Sequence, residues 1–362
     1  MTTVSNLVSI AIWCWAFIPV LHMELKRPPS AFVASVQSPG LFDSEDVLQL
    51  KISGNIRALF NDRGSNSPYR PMLLTYKEGD KDVSIPLKAK TRGNFRKARA
   101  NCSYPPLLLN FQKATNVKTL FQEQDKMKLV MPCGGDQYVI REYLVYKLYN
   151  LITPQSYKAR LAKVVFYDSA RKKEAGNFFT FLLEEDEQMA KRNGTHILEK
   201  KMIQAENTET ETFLKMAVFQ YMIGNTDWSV PYLHNIRILS FDAQTIPSVV
   251  PYDFDHAGIV NAPYALPPEQ LELSSTQDRR FRGYCITDMK TFDRVIATFN
   301  RLRKDIYSVY TSCPLLDSRY IGATTKFLDE FFNTINDPKK VKAAFSYPCH
   351  QRTQVVIKGL NN

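Results

Sequence analysis

The sequence predicts an α+β protein, and three observations lead there. Short segments that alternate apolar and polar residues fill the first half, one long helical period interrupts them, and the second half is mainly helical in period. That order differs from the strict strand–helix alternation of a doubly wound sheet. With 362 residues, 44% of them hydrophobic and 12% aromatic, the chain can bury a sizeable core, which excludes a mainly disordered or fibrous protein. The same length suits one large domain or two lobes sharing one cleft.

Taken in order, Leu7–Val20 is an uncharged apolar run of signal-peptide length and too short for a comfortable spanning helix. No Lys or Arg precedes it, Glu24, Lys26 and Arg27 follow it, and Val33-Ala34-Ser35 offers small residues for cleavage. Residues 1–23 are therefore expected to be a signal peptide or an N-terminal membrane anchor of an exported protein. Residues 24–44, Pro- and Ser-rich from 28 onward, read as a linker.

Strands are expected at 47–52, 72–76, 83–89, 107–111 and 127–131, with Asn61-Asp62-Arg63-Gly64 as a turn. From Asp136 the period changes: Ile140, Leu144, Leu148 and Leu151 fall at helical spacing, with Asp136 as N-cap and Pro154 past the end. Strands at 161–167 and 178–183 end in Glu184-Glu185-Asp186-Glu187, which reads as a solvated turn. A helix over 208–223 carries acidic residues in its first turn, where they suit the helix dipole. Short strands at 236–239 and 249–252 and helices at 291–307 and 324–335 complete the pattern. Residues 45–185 thus form a strand-rich half and 186–362 a helix-rich half.

Charge and cysteines bound the function classes. Lys+Arg number 47 against 36 Asp+Glu, a net +11 that favours nucleotides, acidic proteins or anionic surfaces. No basic tail or nucleic-acid-binding signature accompanies it, so no nucleic-acid partner is expected. Beyond Cys14, five cysteines remain, none in a C-x-x-C motif. One or two disulfides suit an oxidising compartment, Cys102–Cys133 being the first candidate pair; isolated buried thiols are the alternative. Asn101-Cys102-Ser103 and Asn193-Gly194-Thr195 are sequons that matter only in a glycosylating host.

The chemistry concentrates between Asp227 and Gly258. Asp227 follows the 208–223 helix in Gly224-Asn225-Thr226-Asp227-Trp228-Ser229, then comes His234-Asn235. Asp253 and Asp255 follow a strand in Pro251-Tyr252-Asp253-Phe254-Asp255-His256-Ala257-Gly258. Three carboxylates and a carboxamide emerging from rigid supports are what phosphoryl transfer uses: one carboxylate near the acceptor hydroxyl, and oxygen ligands for the cation on the phosphates.

A helix, then Asp and Asn, then a strand ending in Asp-x-Asp resembles the catalytic layout of protein-kinase-like enzymes, and the chain resembles the CotH family of atypical kinases, with HipA-type kinases more distant. Lys90-Thr91-Arg92-Gly93-Asn94 resembles that family's RGN turn, Arg141-Glu142-Tyr143-Leu144 its helix behind the nucleotide, and Phe179–Glu185 its strand into the hinge. The likeness extends over roughly 45–335. It implies a bilobal kinase-like fold, with a strand-rich N-lobe over 45–185 and a helix-rich C-lobe over 186–362, that uses ATP with Mg or Mn. Asp227 would act on the acceptor hydroxyl, and Asn235, Asp253 and Asp255 would hold metal. Arg92 would contact phosphate. The strand Pro105–Phe111 carries no lysine, so Lys128 takes the nucleotide-contacting role, paired with Glu142.

The sequence departs from the pattern in three places: that lysine, a glycine loop reduced to Gly93, and an Asp227–Asn235 step longer than the about five residues of ordinary kinases. These departures keep a second class open, an inactive pseudokinase acting as an envelope binding or structural protein. A metal-dependent hydrolase built on His234, His256 and the three aspartates is a third class, although no HxH or HxxxD spacing is present. No G-x-S-x-G elbow supports a serine hydrolase. The acceptor has no short sequence code.

Overall fold

The computed structural model describes residues 40–349; the expected leader and most of the expected linker lie outside the described residues. Elements run β1 (Leu48–Gly54), α1 (Ile56–Asn61), β2 (Arg70–Glu78), β3 (Lys81–Thr91), β4 (Leu107–Phe111) and β5 (Lys126–Val130). Then come α2 (Asp136–Ile152), β6 (Ala159–Asp168), β7 (Lys173–Leu183), α3 (Asp186–Arg192), β8 (His196–Ile197), α4 (Thr210–Ile223), β9 (Ile236–Ser240) and β10 (Ser248–Pro251). Four helices finish the chain: α5 (Asp293–Arg301), α6 (Arg303–Thr311), α7 (Ser318–Ile335) and α8 (Pro338–Phe345). The mixed α+β organisation, strands first and helices later, is as expected.

The strands of the first half close into a seven-stranded barrel in the order β1-β2-β3-β4-β5-β7-β6. All neighbours are antiparallel except β1 and β6, which run parallel and shut the barrel. Alternation explains why it fills: Leu48, Leu50 and Ile52 of β1 and Ile85, Leu87 and Ala89 of β3 point inward. Closure removes sheet edges, so no row of backbone donors and acceptors is left open there.

A second core lies outside the barrel. It gathers α2 and α4 with β9, β10 and the last helices, and α2 packs against β6, β7 and α6. Helix α2 buries residues around most of its girth, from Val139 to Ile152, because barrel and helices cover different faces of it. Among the described residues no helix is long and apolar enough to cross a membrane.

Several local expectations change. Asp136 is the first helical residue of α2, Gly135 being its N-cap, and its carboxylate instead accepts from Phe179 N–H and Lys163 Nζ, both at 3.1 Å. The end of the expected linker is docked: Leu41 is buried and its carbonyl accepts from Arg160 at 2.9 Å. The 291–307 helix is two helices broken at Leu302. Nor is Glu184–Glu187 a solvated turn. Glu184 is 1% exposed and held by Arg192 at 2.9 Å, and Asp186 opens α3. Alternation and helical period report burial, and neither could report these tertiary partners.

Cys102 and Cys133 form a disulfide, and so do Cys285 and Cys349; Cys313 is free. The first bond ties the loop after β3 to the turn before α2. Arg63 braces the same loop, donating to the carbonyls of Lys97, Cys102 and Ser103 at 2.8, 3.2 and 2.7 Å. Replacing both Cys102 and Cys133 with Ser is expected to lower stability by about 2–4 kcal/mol in urea denaturation, the usual cost of losing a loop-closing bond.

Candidate active site

Two loops meet where α4 ends. Gly224 terminates α4 in the left-handed region at φ +68°, and Asn225 N–H returns to Gln220 O at 2.8 Å, the bonding of a glycine C-cap. The segment after β10 lies against it: Gly258 N–H donates to Gly224 O at 3.1 Å and Ile259 N–H to Ile223 O at 3.0 Å. A Cβ on Gly258 would meet Thr276 O at 2.3 Å, so this close approach requires glycine. The chain thus brings Asp227 and the Asp253–Asp255 segment together through backbone bonds.

Asp227 is 4% exposed. Its Oδ1 lies 2.8 Å from His234 Nε2 and its Oδ2 accepts from Asn235 Nδ2 at 3.1 Å; the same amide donates to Asp227 O at 2.8 Å. The long step between Asp227 and Asn235 is accommodated by a small loop closed by Ser229–His234 backbone bonds, with Leu233 and Asn235 in left-handed conformations. Burial alone would lower the His234 pKa, but the hydrogen bond and charge of Asp227, with Asp253 adding, raise it overall.

Across the paired ends of β9 and β10, Tyr252 N–H donates to Asn235 O at 3.0 Å. Asp253 follows with φ +62°, uncommon for a residue bearing a Cβ, and Tyr146 OH on α2 accepts its N–H at 2.9 Å. Its side chain is 41% exposed, and Asp255 is buried beneath it.

The organising cation of this region is Arg96, which the sequence reading did not select. Its guanidinium contacts Glu142 of α2 at 3.0 Å, Asp253 at 2.9 Å and Asp255 at 3.3 Å. Tyr264 OH also donates to Asp255, at 3.1 Å. Burial opposes the charge on Arg96, but Asp255, Glu142 and Asp253 outweigh it and hold the guanidinium well above its ordinary value. One guanidinium cannot neutralise three carboxylates. The surplus falls on Glu142, at 1% exposure, whose carboxyl burial pushes up to about 8 with Asp255 and Asp253 adding repulsion against Arg96.

Lys128 is not paired with Glu142, which corrects that expectation. From β5 it reaches Asp186 Oδ1 at 2.7 Å, over the rings of Tyr252 and Tyr157 at 5.2 and 5.7 Å. Asp186 also takes Arg237 Nε at 2.7 Å and Tyr157 OH at 3.0 Å. Burial would raise Asp186, but Lys128 and Arg237 outweigh it and hold the carboxyl at about 2. Burial lowers the Lys128 pKa, against Asp186, and the charge of nearby Arg92 lowers it further. Lys128 and Arg237 thus both lie over Tyr252, and Arg92 is near enough to Lys128 for its charge to be felt there.

The candidate metal ligands divide. Asn235 spends its amide N–H groups on Asp227, and its Oδ1 has no partner among the described residues. Asp253 gives only Oδ1 to Arg96. Both fit as oxygen donors to a hard divalent cation. Asp255 offers less: its Oδ2 is committed to Arg96 and Tyr264, which leaves its Oδ1 as the oxygen it can supply. The hydrolase set also fails to assemble. His256 packs against the rings of Phe95 and Tyr264, and among the described residues no three His, Cys, Asp or Glu side chains are placed to hold a metal.

Comparison with known proteins adds little to this geometry. No family model matches the chain, the CotH family included, and no curated protein matches it. Among solved structures it is similar to the proinflammatory kinase CtkA of Helicobacter pylori, at 10% identity and TM-score 0.38, covering 70% of this chain and 94% of that one. It is also similar to HipA from the toxin–antitoxin HipA, HipB and operator DNA complex of Shewanella oneidensis. There the identity is 10% and the TM-score 0.33, over 87% of this chain and 74% of that one. Likenesses this loose carry no argument.

Removing Arg96 leaves buried carboxylates without their cation. Arg96→Ala is expected to cost about 3–5 kcal/mol in urea denaturation, and Arg96→Lys less but still measurably, since an ammonium cannot span three partners. The His234–Asp227 bond gives a pH signature. Because the folded His234 pKa is raised, its stabilisation is complete below the unfolded value near 6.5 and is lost as pH rises through the folded value. His234→Gln should therefore cost on the order of 1 kcal/mol more at pH 5.5 than at pH 8.5, read by thermal unfolding across that range.

Proposed function

We propose that the chain is an exported, kinase-like phosphotransferase that moves a phosphoryl group from ATP, with Mg²⁺ or Mn²⁺, to a hydroxyl acceptor. The observation that carries this reading is the Arg96 clamp: a buried cation joins the glutamate of α2 to the aspartate at the end of β10, beside a loop bearing Asp227 and Asn235. In this reading Arg96 supplies the fixed cation expected of a strand lysine, and its five N–H donors suit phosphate oxygens as well as carboxylates. Arg92 and Lys128 add positive charge in a second group, built on Asp186.

Asp227 is held by Asn235 and His234 so that its carboxylate keeps one orientation toward an acceptor hydroxyl, whose proton it receives. Asn235 and Asp253 would hold the divalent cation, which when bound draws negative charge off the transferring phosphate. Asp255 keeps Arg96 in place. The two disulfides support export, since such bonds persist in oxidising compartments. A bilobal kinase-like fold of CotH type remains part of the proposal, with the barrel standing where the N-lobe sheet is expected.

A non-catalytic binding protein is the second reading, favoured by one observation: Arg96 occupies Asp253 Oδ1, the oxygen that a cation would compete for. Isothermal titration of the full chain with ATP, with and without Mg²⁺ or Mn²⁺, separates the two. Metal-dependent binding that Asp253→Ala weakens at least about tenfold, the loss typical of a charged ligand contact, is the expected result. Metal-independent binding would favour the second reading, and no binding by demonstrably folded protein would sink the nucleotide mechanism.

A further inference from the structure

A cavity of about 110 Å³ opens beside the Asp227 loop, walled by Phe213, Trp228, Tyr284 and Tyr347, with Arg282 in its lining and Glu206 at its exposed rim. None of these residues belongs to the phosphoryl-transfer site described above. Tyr347 reaches the cavity because the Cys285–Cys349 bond ties the segment after α8 to the stretch that carries Arg282. The walls are held by ring contacts, Phe213 to Tyr284 at 5.1 Å and Phe213 to Trp228 at 6.4 Å.

Arg282 is half-buried and poorly compensated. Its Nη1 donates to Thr226 O at 2.9 Å and to Trp228 O, and its guanidinium lies 4.8 Å from the centre of a Trp228 ring. Those acceptors are neutral carbonyls. Among the described residues it forms no ion pair within 4.0 Å, and its Nε and Nη2 have no hydrogen-bond partner. Burial pulls its pKa down to about 10, against weaker attraction from Tyr347 and Asp227. A partly desolvated cation with unpartnered N–H donors and no counter-charge gains when an anion joins it. Aromatic walls add a surface on which a flat or apolar body can lie.

We propose that this cavity is an anion-binding site, which takes a carboxylate or phosphate borne on the acceptor and grips it with Arg282 between aromatic walls. The position fits an acceptor better than a nucleotide. Trp228 and Ser229, which follow Asp227 directly, line the cavity, whereas Arg92, Arg96 and Lys128 come from the barrel strands and their loops. The role as acceptor anchor rests on the phosphoryl-transfer reading; anion binding by itself does not.

Trp228 provides the readout. The chain has three tryptophans, so the full chain carrying Trp13→Phe and Trp15→Phe has Trp228 as its only indole. Its emission is followed during titration with inorganic phosphate, a short Glu-rich peptide and the matching Gln-rich peptide, at constant ionic strength. The expected result is a saturable change with phosphate, the Glu-rich peptide or both, and none with the Gln-rich peptide. Response to phosphate alone assigns a phosphate-bearing acceptor, and response to the Glu-rich peptide alone assigns an acidic peptide.

Arg282→Gln should weaken binding at least about tenfold. Because Arg282 also braces two loop carbonyls, a second variant decides. Glu206→Gln removes a like charge at the exposed rim and should tighten anion binding by about two- to fivefold. An Arg282 that only braces the loop leaves that affinity unmoved. No saturable response to either anion, or no tightening in Glu206→Gln, overturns the site. Anion binding without ATP binding keeps the site and removes its role as acceptor anchor. ATP binding without anion binding overturns the site and leaves the phosphoryl-transfer reading standing.

Discussion

The contact between one buried guanidinium and three carboxylates, two of them buried, is the constraint on which the rest of this structure depends. Arg96 sits on a loop of the barrel, Glu142 on α2, and Asp253 and Asp255 after β10. Glu142 and Asp255 would be expensive to bury alone, and with the exposed Asp253 beside them they are tolerable only with the cation between them. The clamp therefore fixes how the loop after β3 sits against α2 and against the end of β10. The Cys102–Cys133 bond and the Arg63 braces hold that loop from its other side, so Arg96 is positioned by covalent and hydrogen-bonded supports as well as by charge.

The clamp also bears on chemistry. An arginine that satisfies a helix glutamate while touching the exposed aspartate couples the barrel to the strand that would present a metal ligand. A lysine could provide the charge but not the span, because its ammonium is a point donor. The absence of a lysine in Pro105–Phe111 thus has a physical counterpart in the arginine of a neighbouring loop. Lys128, freed from Glu142, belongs to a second charged group built on Asp186, Arg237 and the rings of Tyr157 and Tyr252.

Backbone geometry does the rest of the positioning. Left-handed residues at Gly224, Leu233, Asn235 and Asp253 turn the chain sharply at the ends of α4, β9 and β10. These conformations cost energy in residues other than glycine, and they persist here because strands, helix and loop hydrogen bonds over-determine them. The short peptide between β10 and Gly258 can then face both Asp227 and Arg96.

The sequence by itself determined the order of the main strands and helices and the segments that carry Asp227, Asn235, Asp253 and Glu142, and it offered Cys102–Cys133 as a candidate pair that the structure then formed. Alternation and helical period depend only on which face each residue buries, so they are written in the chain locally. The tertiary structure alone decided that the strands close into a barrel, because closure rests on the parallel β1–β6 pairing of segments far apart in sequence. It alone decided that Arg96, one of several basic residues after Gly93, takes Glu142 while Lys128 takes Asp186. Partner choice among like charges depends on distances of a few ångströms between elements, and no local pattern encodes them.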